Sequence, residues 1–527
     1  MISKKNSIEN HSSFTQKEAF GRGSASLETT RNVAPVAVHK YHRNIMWAGI
    51  GLVMLTLFIL SSVVNRPSMS EFQNYDDAAY NSIGVQWAST GEWRPAFQPL
   101  GLARSENFFA ANPVLTPYLT GVSIKLFGPD RWVFKLPSLI AFLVTGLALT
   151  GMIYVTKLQA THGLVVLFSY YACPWLYFSM NTARAEPLCI AGLYLAMLFS
   201  LVWSKSEKSA FSSGWLMLSG GLAVVVVWNH VLFAMSALLP ALAILMNANS
   251  KSGRRGILLW LAGASLMCVF LVVWRILPHW DSWTEQFMAN ASNNAAISND
   301  IKIMDTLKSS KPFPLNELIE FKARLSTLGW PFICWYVGLS FLFLTFLRVT
   351  RPFLVAIIFV LAFLAVIEIK TPVIGTYVIS SALALPLCLL QAAARNSNAS
   401  WAGTKALLFA SVVSIPILHA WLVLRPETKT NDWSRQEQQL EHEFSILPPR
   451  SVICGGTAIA MVPAWKQGHK YYMNSWSFFS NIPDAKEKLI RLSGEQSQYQ
   501  VDFANGQWRV GLHQNTQLNV ERGKGDK

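Results

Sequence analysis

Long apolar runs alternate with short polar segments between residues 45 and 424 of the 527-residue chain. Each run approaches the roughly 20 residues that an α-helix needs to cross a hydrocarbon core. The pattern predicts about eleven transmembrane helices, at 45–64, 134–155, 161–180, 187–203, 214–230, 232–248, 257–274, 329–347, 353–369, 373–392 and 404–424. A shorter apolar stretch at 114–127 is bounded by prolines and a glycine, which indicates an interfacial or re-entrant helix and not a span.

The two ends of the chain do not share this pattern. Residues 1–44 are polar and rich in Ser and Asn, which predicts a disordered tail. Beyond residue 425 the long apolar runs stop, and a helix is predicted at 427–443 and a strand at 450–455. Two β-like stretches on either side of Asn505-Gly506 predict a hairpin at 498–512.

These boundaries divide the chain into three predicted parts. They are a disordered cytoplasmic tail at 1–44, a polytopic α-helical transmembrane domain at 45–424, and a small α/β or α+β domain at 425–527. The orientation follows from Lys and Arg, which dominate the tail and the short loops on its side of the membrane. An odd number of spans then places the last domain, and the loops at 65–133 and 275–328, on the extracytoplasmic face.

Composition supports a membrane protein. The chain is 52% hydrophobic and only 14% charged, whereas soluble domains carry roughly 25% charged residues. A net charge of +15 is also typical of nucleic-acid-binding proteins. Here the basic residues lie in short loops between apolar runs, so we predict no nucleic-acid partner. We expect a multi-pass protein of the bacterial inner (plasma) membrane with membrane lipids around it.

Two adjacent carboxylates are the first candidates for chemistry. Asp76 and Asp77 follow the end of the first apolar run by about ten residues, just outside the predicted membrane. A helix from Asn74 to Thr90 would put Asp76 and Tyr80 on one side and Asp77 on the next. The alternative is a solvated helix start, since acidic residues favour the first turn of a helix.

Three other groups of polar residues lie at the predicted outer ends of spans. Arg184 and Glu186 follow the third span, His230 is the last residue of the fifth, and Lys370 and Tyr377 flank the start of the tenth. Charges at a membrane boundary are costly unless they are paired or functional, although long side chains can also reach water by snorkelling. No Cys or His spacing typical of a metal site is present, so no metal site is predicted and dependence on a divalent cation is left open.

Several short motifs together resemble one known family, the polytopic glycosyltransferases of the GT-C fold. The resemblance is to the branch with the protein O-mannosyltransferases and the lipid A aminoarabinose transferase (glycosyltransferase families 39 and 83). The matching elements are Asp76-Asp77-Ala78-Ala79-Tyr80, Leu126-Phe127-Gly128, Lys135-Leu136-Pro137-Ser138, Arg184-Ala185-Glu186, and the looser set Lys370, Pro372, Tyr377 and Pro386. Their order and their common face make the set more specific than any single element.

The resemblance implies an inverting glycosyltransferase that uses a polyprenyl-phosphate-linked sugar as donor. Asp76 would be the general base on an acceptor hydroxyl, and Asp77 would bind the acceptor or tune Asp76. Donor phosphate and sugar would contact Arg184, Glu186, Lys370, Tyr377 and His230. The acceptor would be a lipid, a glycan or a protein, and residues 45–424 would be the catalytic domain.

Two departures from the family pattern affect the donor site. Many relatives have His-Lys-Pro-Pro where this chain has Ala111-Asn112-Pro113-Val114, and Lys-Gly where it has Asn229-His230. The missing lysines leave phosphate binding to other cations, with Arg184 and Lys370 as the first candidates and His230 or Arg104 after them. A transporter or flippase of lipid-linked saccharides, a ligase, and a scaffold protein are the competing interpretations.

Overall fold

The computed structural model describes less than the whole chain. The described residues are 49, 51, 75–94, 114–156, 183–205, 210–230, 233–234, 236–247, 250–288, 433–455, 460–473, 497–504 and 507–512. The tail at 1–44 and the spans predicted at 161–180, 329–347, 353–369, 373–392 and 404–424 lie outside them. The first predicted span, 45–64, is described only at the helical positions 49 and 51.

Two short helices precede the first described span. Helix α1 is Tyr75–Thr90 and helix α2 is Leu115–Phe127, as the sequence predicts. They cross with almost no space between their backbones: a Cβ added at Gly84 of α1 would lie 2.7 Å from the Pro117 carbonyl oxygen of α2. Helix α2 ends at Gly128, whose φ of +83° reverses the chain into the next helix.

Four long helices are apolar enough to cross a membrane within the described ranges. Helix α3 is Arg131–Thr156, α4 is Glu186–Lys205, α5 is Ala210–Asn229, and the fourth runs from Gly253 to Met288. They match the spans predicted at 134–155, 187–203, 214–230 and 257–274. Adjacent helices share polar contacts that apolar packing alone would not supply, because the hydroxyls of Ser200 and Ser219 lie 2.9 Å apart between α4 and α5.

The segment predicted as a span at 232–248 is interrupted. Its described part has a 3₁₀ turn at Ser236–Leu238 followed by helix α6, Leu239–Asn247. At 1.5 Å per residue the nine residues of α6 extend only about 14 Å, less than half of a hydrocarbon core. Pro240 occupies its second position, where a proline is tolerated because its missing N–H would have no intrahelical partner. In its described part this segment is therefore helical, but it changes from a 3₁₀ turn to a short α-helix.

The interrupted segment still returns the chain to the other end of the bundle. Helix α7, Ser250–Leu271, runs in the same direction as α5, since Gly263 contacts Met217 and Met267 contacts Gly221. Two parallel helices that follow one another need a connection that travels back along their full length. A Cβ at Gly220 would collide with the Trp260 carbonyl oxygen, so the small residues permit this close contact.

Helix α7 continues beyond the predicted span. A π-helical turn at Val272–Ile276 and a 3₁₀ turn at Leu277–His279 lead into further helix up to Met288. The 36 residues from Gly253 extend about 54 Å. The first residues of the predicted outside loop, from residue 275 to Met288, are therefore helical.

The chain after the membrane helices forms a four-stranded sheet. Helix α8, Trp433–Ser445, precedes β1, and helix α9, Met461–Lys466, joins β1 to β2. The strands are β1 Val452–Gly455, β2 Lys470–Met473, β3 Tyr499–Ala504 and β4 Gln507–Leu512, in the order β2-β1-β3-β4. The first three strands are parallel to each other and β4 is antiparallel to β3, which confirms the predicted hairpin.

One apolar cluster joins this sheet to the membrane helices. Leu440, Phe444, Ile453 and Trp465 of the C-terminal part belong to the same buried cluster as Val85, Ile124, Val133, Phe134 and Ala183. The rings of Phe134 and Trp465 stack with their centroids 5.8 Å apart. The C-terminal part is therefore packed against α1, α2, α3 and the loop before α4.

An ion-pair triad borders this contact. The Lys466 ammonium donates to Asp130, 3.0 Å away, and to Glu441, 2.8 Å away. Partial burial lowers the pKa of Lys466, but its hydrogen bonds to Glu441 and Asp130 outweigh burial and raise the pKa above its usual value. Lys466 therefore remains charged in the physiological pH range.

Replacing Lys466 by Met should weaken this contact modestly. Each partly exposed ion pair contributes up to about 1 kcal/mol, and salt screens it. We expect Lys466→Met to lower the melting temperature in low-salt detergent solution and the difference from wild type to shrink in about 1 M NaCl. An equal difference at both salt concentrations would show that the triad contributes no electrostatic stabilisation.

Candidate active site

A buried ion pair lies where helix α4 begins. Arg184 donates from Nη2 to Glu186 Oε1 at 2.9 Å, and from Nε to both carboxylate oxygens at 3.1 Å. The Glu186 side chain is 1% exposed and that of Arg184 is 11% exposed. The sequence predicts both residues at this boundary, and the structure brings them together. A carboxylate in the first turn also interacts favourably with the positive end of the helix dipole.

His230 belongs to the same cluster. Its Nε2 lies 3.7 Å from Glu186 Oε1, because the last residues of α5 reach the start of α4. Burial lowers the pKa of His230 below its usual value; the Glu186 carboxylate opposes this shift and the Arg184 guanidinium adds to it. His230 is therefore neutral at pH 7, and in the structure its buried Nδ1 has no hydrogen-bond partner.

Two asparagine side chains hold the loop that carries Arg184. Asn81 of α1 donates to the Ala183 carbonyl oxygen at 2.9 Å, and Asn229 of α5 donates to the Ala185 carbonyl oxygen at 3.1 Å. Thr120 of α2 donates its hydroxyl to Asn81 Oδ1 at 2.9 Å. The loop is thus tied to two helices, α1 and α5, at the carbonyl groups on both sides of Arg184.

The predicted catalytic acids lie at the start of the helix that reaches this loop. Asp76 and Asp77 are in the first turn of α1, and Asp77 precedes Asn81 by one helical turn. Their backbone belongs to the described part of the chain and their side chains do not. Lys370 and Tyr377, the other predicted donor contacts, lie outside the described residues.

Two further buried cations near helix ends have no role in the sequence-based predictions. Lys135, in the second turn of α3, is fully buried. Arg275 lies in the π-helical turn after α7, is 5% exposed, and its guanidinium lies 4.9 Å from the centroid of the Trp93 ring. In the sequence, Lys135 belongs to one of the matching motifs and Arg275 lies at the start of a predicted outside loop. The π-helical turn directs Arg275 inwards, and no residue pattern announces such a turn.

No cluster of three or more His, Cys, Asp or Glu side chains with metal-binding spacing occurs among the side chains that the structure describes. This statement does not extend to Asp76 and Asp77, whose side chains are not among them. The described site is an arrangement of one buried cation–carboxylate pair, one neutral histidine and two backbone-holding amides.

The depressed pKa of His230 predicts a pH-dependent stability. As the pH falls through about 6.5, the unfolded chain protonates His230 before the folded protein does. The stability present above pH 6.5 is therefore lost progressively as the pH falls through the lower pKa of the folded state. Melting temperatures between pH 8 and pH 5 should fall more steeply for wild type than for His230→Gln. If melting temperature falls equally with pH in both proteins, the pKa of His230 is not lowered by folding.

Comparison with known proteins identifies the fold. No protein-family model matches the chain, and no curated protein matches it by sequence. Among solved structures, ArnT from Cupriavidus metallidurans bound to undecaprenyl phosphate matches with a TM-score of 0.51 and 12% identity, over 85% of this chain and 88% of ArnT. An oligosaccharyltransferase from Archaeoglobus fulgidus, in complex with Zn and sulfate, matches with a TM-score of 0.48 and 12% identity, over 85% of this chain and 67% of its own.

The likeness to ArnT shows that this chain has the GT-C fold, as the motif resemblance predicts. Together with the four long apolar helices, it identifies an integral membrane protein.

Proposed function

We propose that this protein is a membrane glycosyltransferase that moves a sugar from a polyprenyl-phosphate donor to an acceptor hydroxyl, with inversion at the anomeric carbon. One observation carries the proposal. The helix that bears Asp76 and Asp77 is hydrogen-bonded through Asn81 to the loop that presents the buried Arg184–Glu186 pair. A carboxylate helix and a fixed cation are thus joined at one end of a GT-C bundle.

The reaction needs a base and a site for the leaving phosphate. Asp76 takes the proton of the acceptor hydroxyl while the oxygen of that hydroxyl attacks the anomeric carbon. The bond between this carbon and the phosphate oxygen breaks through an oxocarbenium-like state, and polyprenyl phosphate leaves with the bonding electron pair. Asp77 binds the acceptor or tunes Asp76. The transferred sugar is attached with inverted configuration.

The leaving phosphate gains negative charge and therefore needs cations. Arg184 is suited to this role because a guanidinium offers planar, paired donors to phosphate oxygens. Glu186 fixes its orientation, and Lys370 supplies a second charge in the proposal. The unpartnered Nδ1 of His230 and Oδ1 of Asn229 are acceptors for sugar hydroxyls. Tyr377 completes the proposed donor contacts.

The nature of the donor is inferred from the fold. ArnT, a structural neighbour of this chain, was crystallised with undecaprenyl phosphate. This supports a polyprenyl-phosphate carrier for the present chain. We place the site on the extracytoplasmic face, with the N-terminal tail in the cytoplasm, because the basic loops predict that orientation. The C-terminal sheet packs next to α1 and is the proposed platform for a lipid, glycan or protein acceptor.

Proteoliposomes distinguish transfer from transport. The purified protein would be reconstituted into liposomes that contain radiolabelled polyprenyl-phosphate sugars, with an acceptor extract on one side of the bilayer. Label that moves into an acceptor, with release of polyprenyl phosphate, supports the transferase. Label that crosses the bilayer while still linked to its lipid would overturn the proposal in favour of a flippase, and transfer of a long oligosaccharide in preference to a monosaccharide would indicate a ligase.

A further inference from the structure

The carbonyl groups on both sides of Arg184 are held by amide side chains from different helices. Asn81 is 0% exposed and Asn229 is 2% exposed, and each donates through Nδ2. A carbonyl oxygen only accepts hydrogen bonds, so these contacts fix the orientation of both amides. The Thr120 hydroxyl donates to the opposite end of the Asn81 amide. Asn81 is therefore oriented from both sides.

We propose that Asn81 is a positioning residue that sets the distance between the carboxylates of α1 and the Arg184 cation. This inference rests on the proposed function and deepens it. Asn81 hydrogen-bonds from α1 to the Arg184 loop, and it lies one turn after Asp77 on the same helix. A shift of α1 along this contact moves the base relative to the phosphate site.

The close contact of α1 with α2 leaves α1 little freedom to move sideways, so the Asn81–Ala183 hydrogen bond fixes its position relative to the Arg184 loop. A Cβ at Gly121 would lie 2.5 Å from the Trp87 ring and 2.9 Å from the Gly84 carbonyl oxygen, so the two helices interlock. The Thr120–Asn81 bond lies beside this crossing. Helix α1 is thus held by α2 laterally, and the Asn81–Ala183 bond ties it to the loop of Arg184. Misplacement of a reacting group by about 1 Å can cost about 10²-fold in rate.

Asn229 supplies the matched comparison. It makes the same kind of bond to the same loop and is equally buried, but it is on α5, which carries neither Asp76 nor Asp77. We expect Asn81→Ala to lower kcat about 10²-fold with little change in the KM for the donor. Asn229→Ala should instead raise the donor KM more than it lowers kcat. Equal kinetic profiles for both variants would overturn the assignment.

Two further variants separate positioning from stability. Asn81→Leu has a similar size but can neither donate to the Ala183 carbonyl nor accept from Thr120, so its kcat should be as low as that of Asn81→Ala. Ser200→Ala removes a buried interhelical hydrogen bond 14 residues along α4, about 21 Å from Glu186. It should lower the melting temperature to a similar extent with an unchanged kcat. Wild-type kcat in Asn81→Leu would overturn the proposal.

Hydrogen exchange makes the inference independent of the assay. The backbone amides of residues 183–186 should exchange faster in Asn81→Ala than in wild type or Ser200→Ala, because the loop loses one of its two attachments. If wild type transfers no sugar, but Asn81→Ala still loses the protection of amides 183–186, the proposed function is wrong and the attachment of the loop by Asn81 is confirmed. If wild type is active and protection is unchanged, the positioning role fails.

Discussion

Replacing Asp76 by Asn is expected to lower kcat for sugar transfer by about 10²–10⁴-fold, the usual contribution of a positioned general base. Asparagine keeps the shape of the side chain and cannot accept the proton of the acceptor hydroxyl. The position is in the first turn of α1, where a neutral residue is compatible with the helix. Initial rates with purified protein and labelled donor measure the effect.

Glu92→Gln is the matched control for this variant. Glu92 is an exposed carboxylate just beyond the other end of α1, where it accepts hydrogen bonds from Gln86, Thr90 and Arg94. Its replacement should leave kcat unchanged. If Asp76→Asn retains wild-type turnover, the base is Asp77 or Glu186, and Asp77→Asn should then carry the loss. Loss in Asp76→Asn and in Glu92→Gln alike would indicate a general defect of α1.

Removing Arg184 alone is expected to destabilise the protein by about 3–5 kcal/mol, as for other buried ion pairs that lose one partner. Arg184→Gln leaves the Glu186 carboxylate, 1% exposed, without its counter-charge. The Glu186→Gln variant should be milder, because Arg184 is more exposed and nearer to water. Unfolding in detergent, followed by tryptophan fluorescence, measures both.

The double variant Arg184→Gln/Glu186→Gln separates stability from function. It replaces the ion pair by two neutral amides, so most of the lost stability should return, with a coupling free energy of up to about 3 kcal/mol. Sugar transfer should not return, because the phosphate site has lost its cation. Additive losses in the single variants would contradict a coupled pair, and wild-type activity of the double variant would contradict phosphate binding by Arg184.

Apolar length is the feature of the sequence that predicts most of the described membrane helices. A run such as 134–155 has no other stable arrangement, because lipid satisfies no backbone polar groups. The interrupted segment at 232–248 is equally apolar, so length predicts a span. Pro240 marks the break, but a proline within an apolar run is compatible with a kinked span as well. Whether the helix is continuous or changes its geometry there depends on tertiary packing, which one sequence does not show.

In the candidate site, too, some residues can be predicted from their neighbours in the sequence and others only from contacts between distant parts of the chain. Arg184 and Glu186 can be predicted because two charges at a membrane boundary need an explanation. Asn81 cannot, since its bond to Ala183 joins residues 102 positions apart and ends on a backbone carbonyl that any residue type could supply. The same holds for Asn229, whose amide reaches Ala185 across 44 positions.

The most direct test of the central claim is a product balance in proteoliposomes with a single defined polyprenyl-phosphate sugar and its acceptor. Wild type should release one polyprenyl phosphate for each sugar transferred, and the new glycosidic bond should have the opposite anomeric configuration to the donor. Asp76→Asn should yield neither product at a comparable rate. Retained configuration, or donor that crosses the bilayer uncleaved, would contradict an inverting transferase with a carboxylate base on α1.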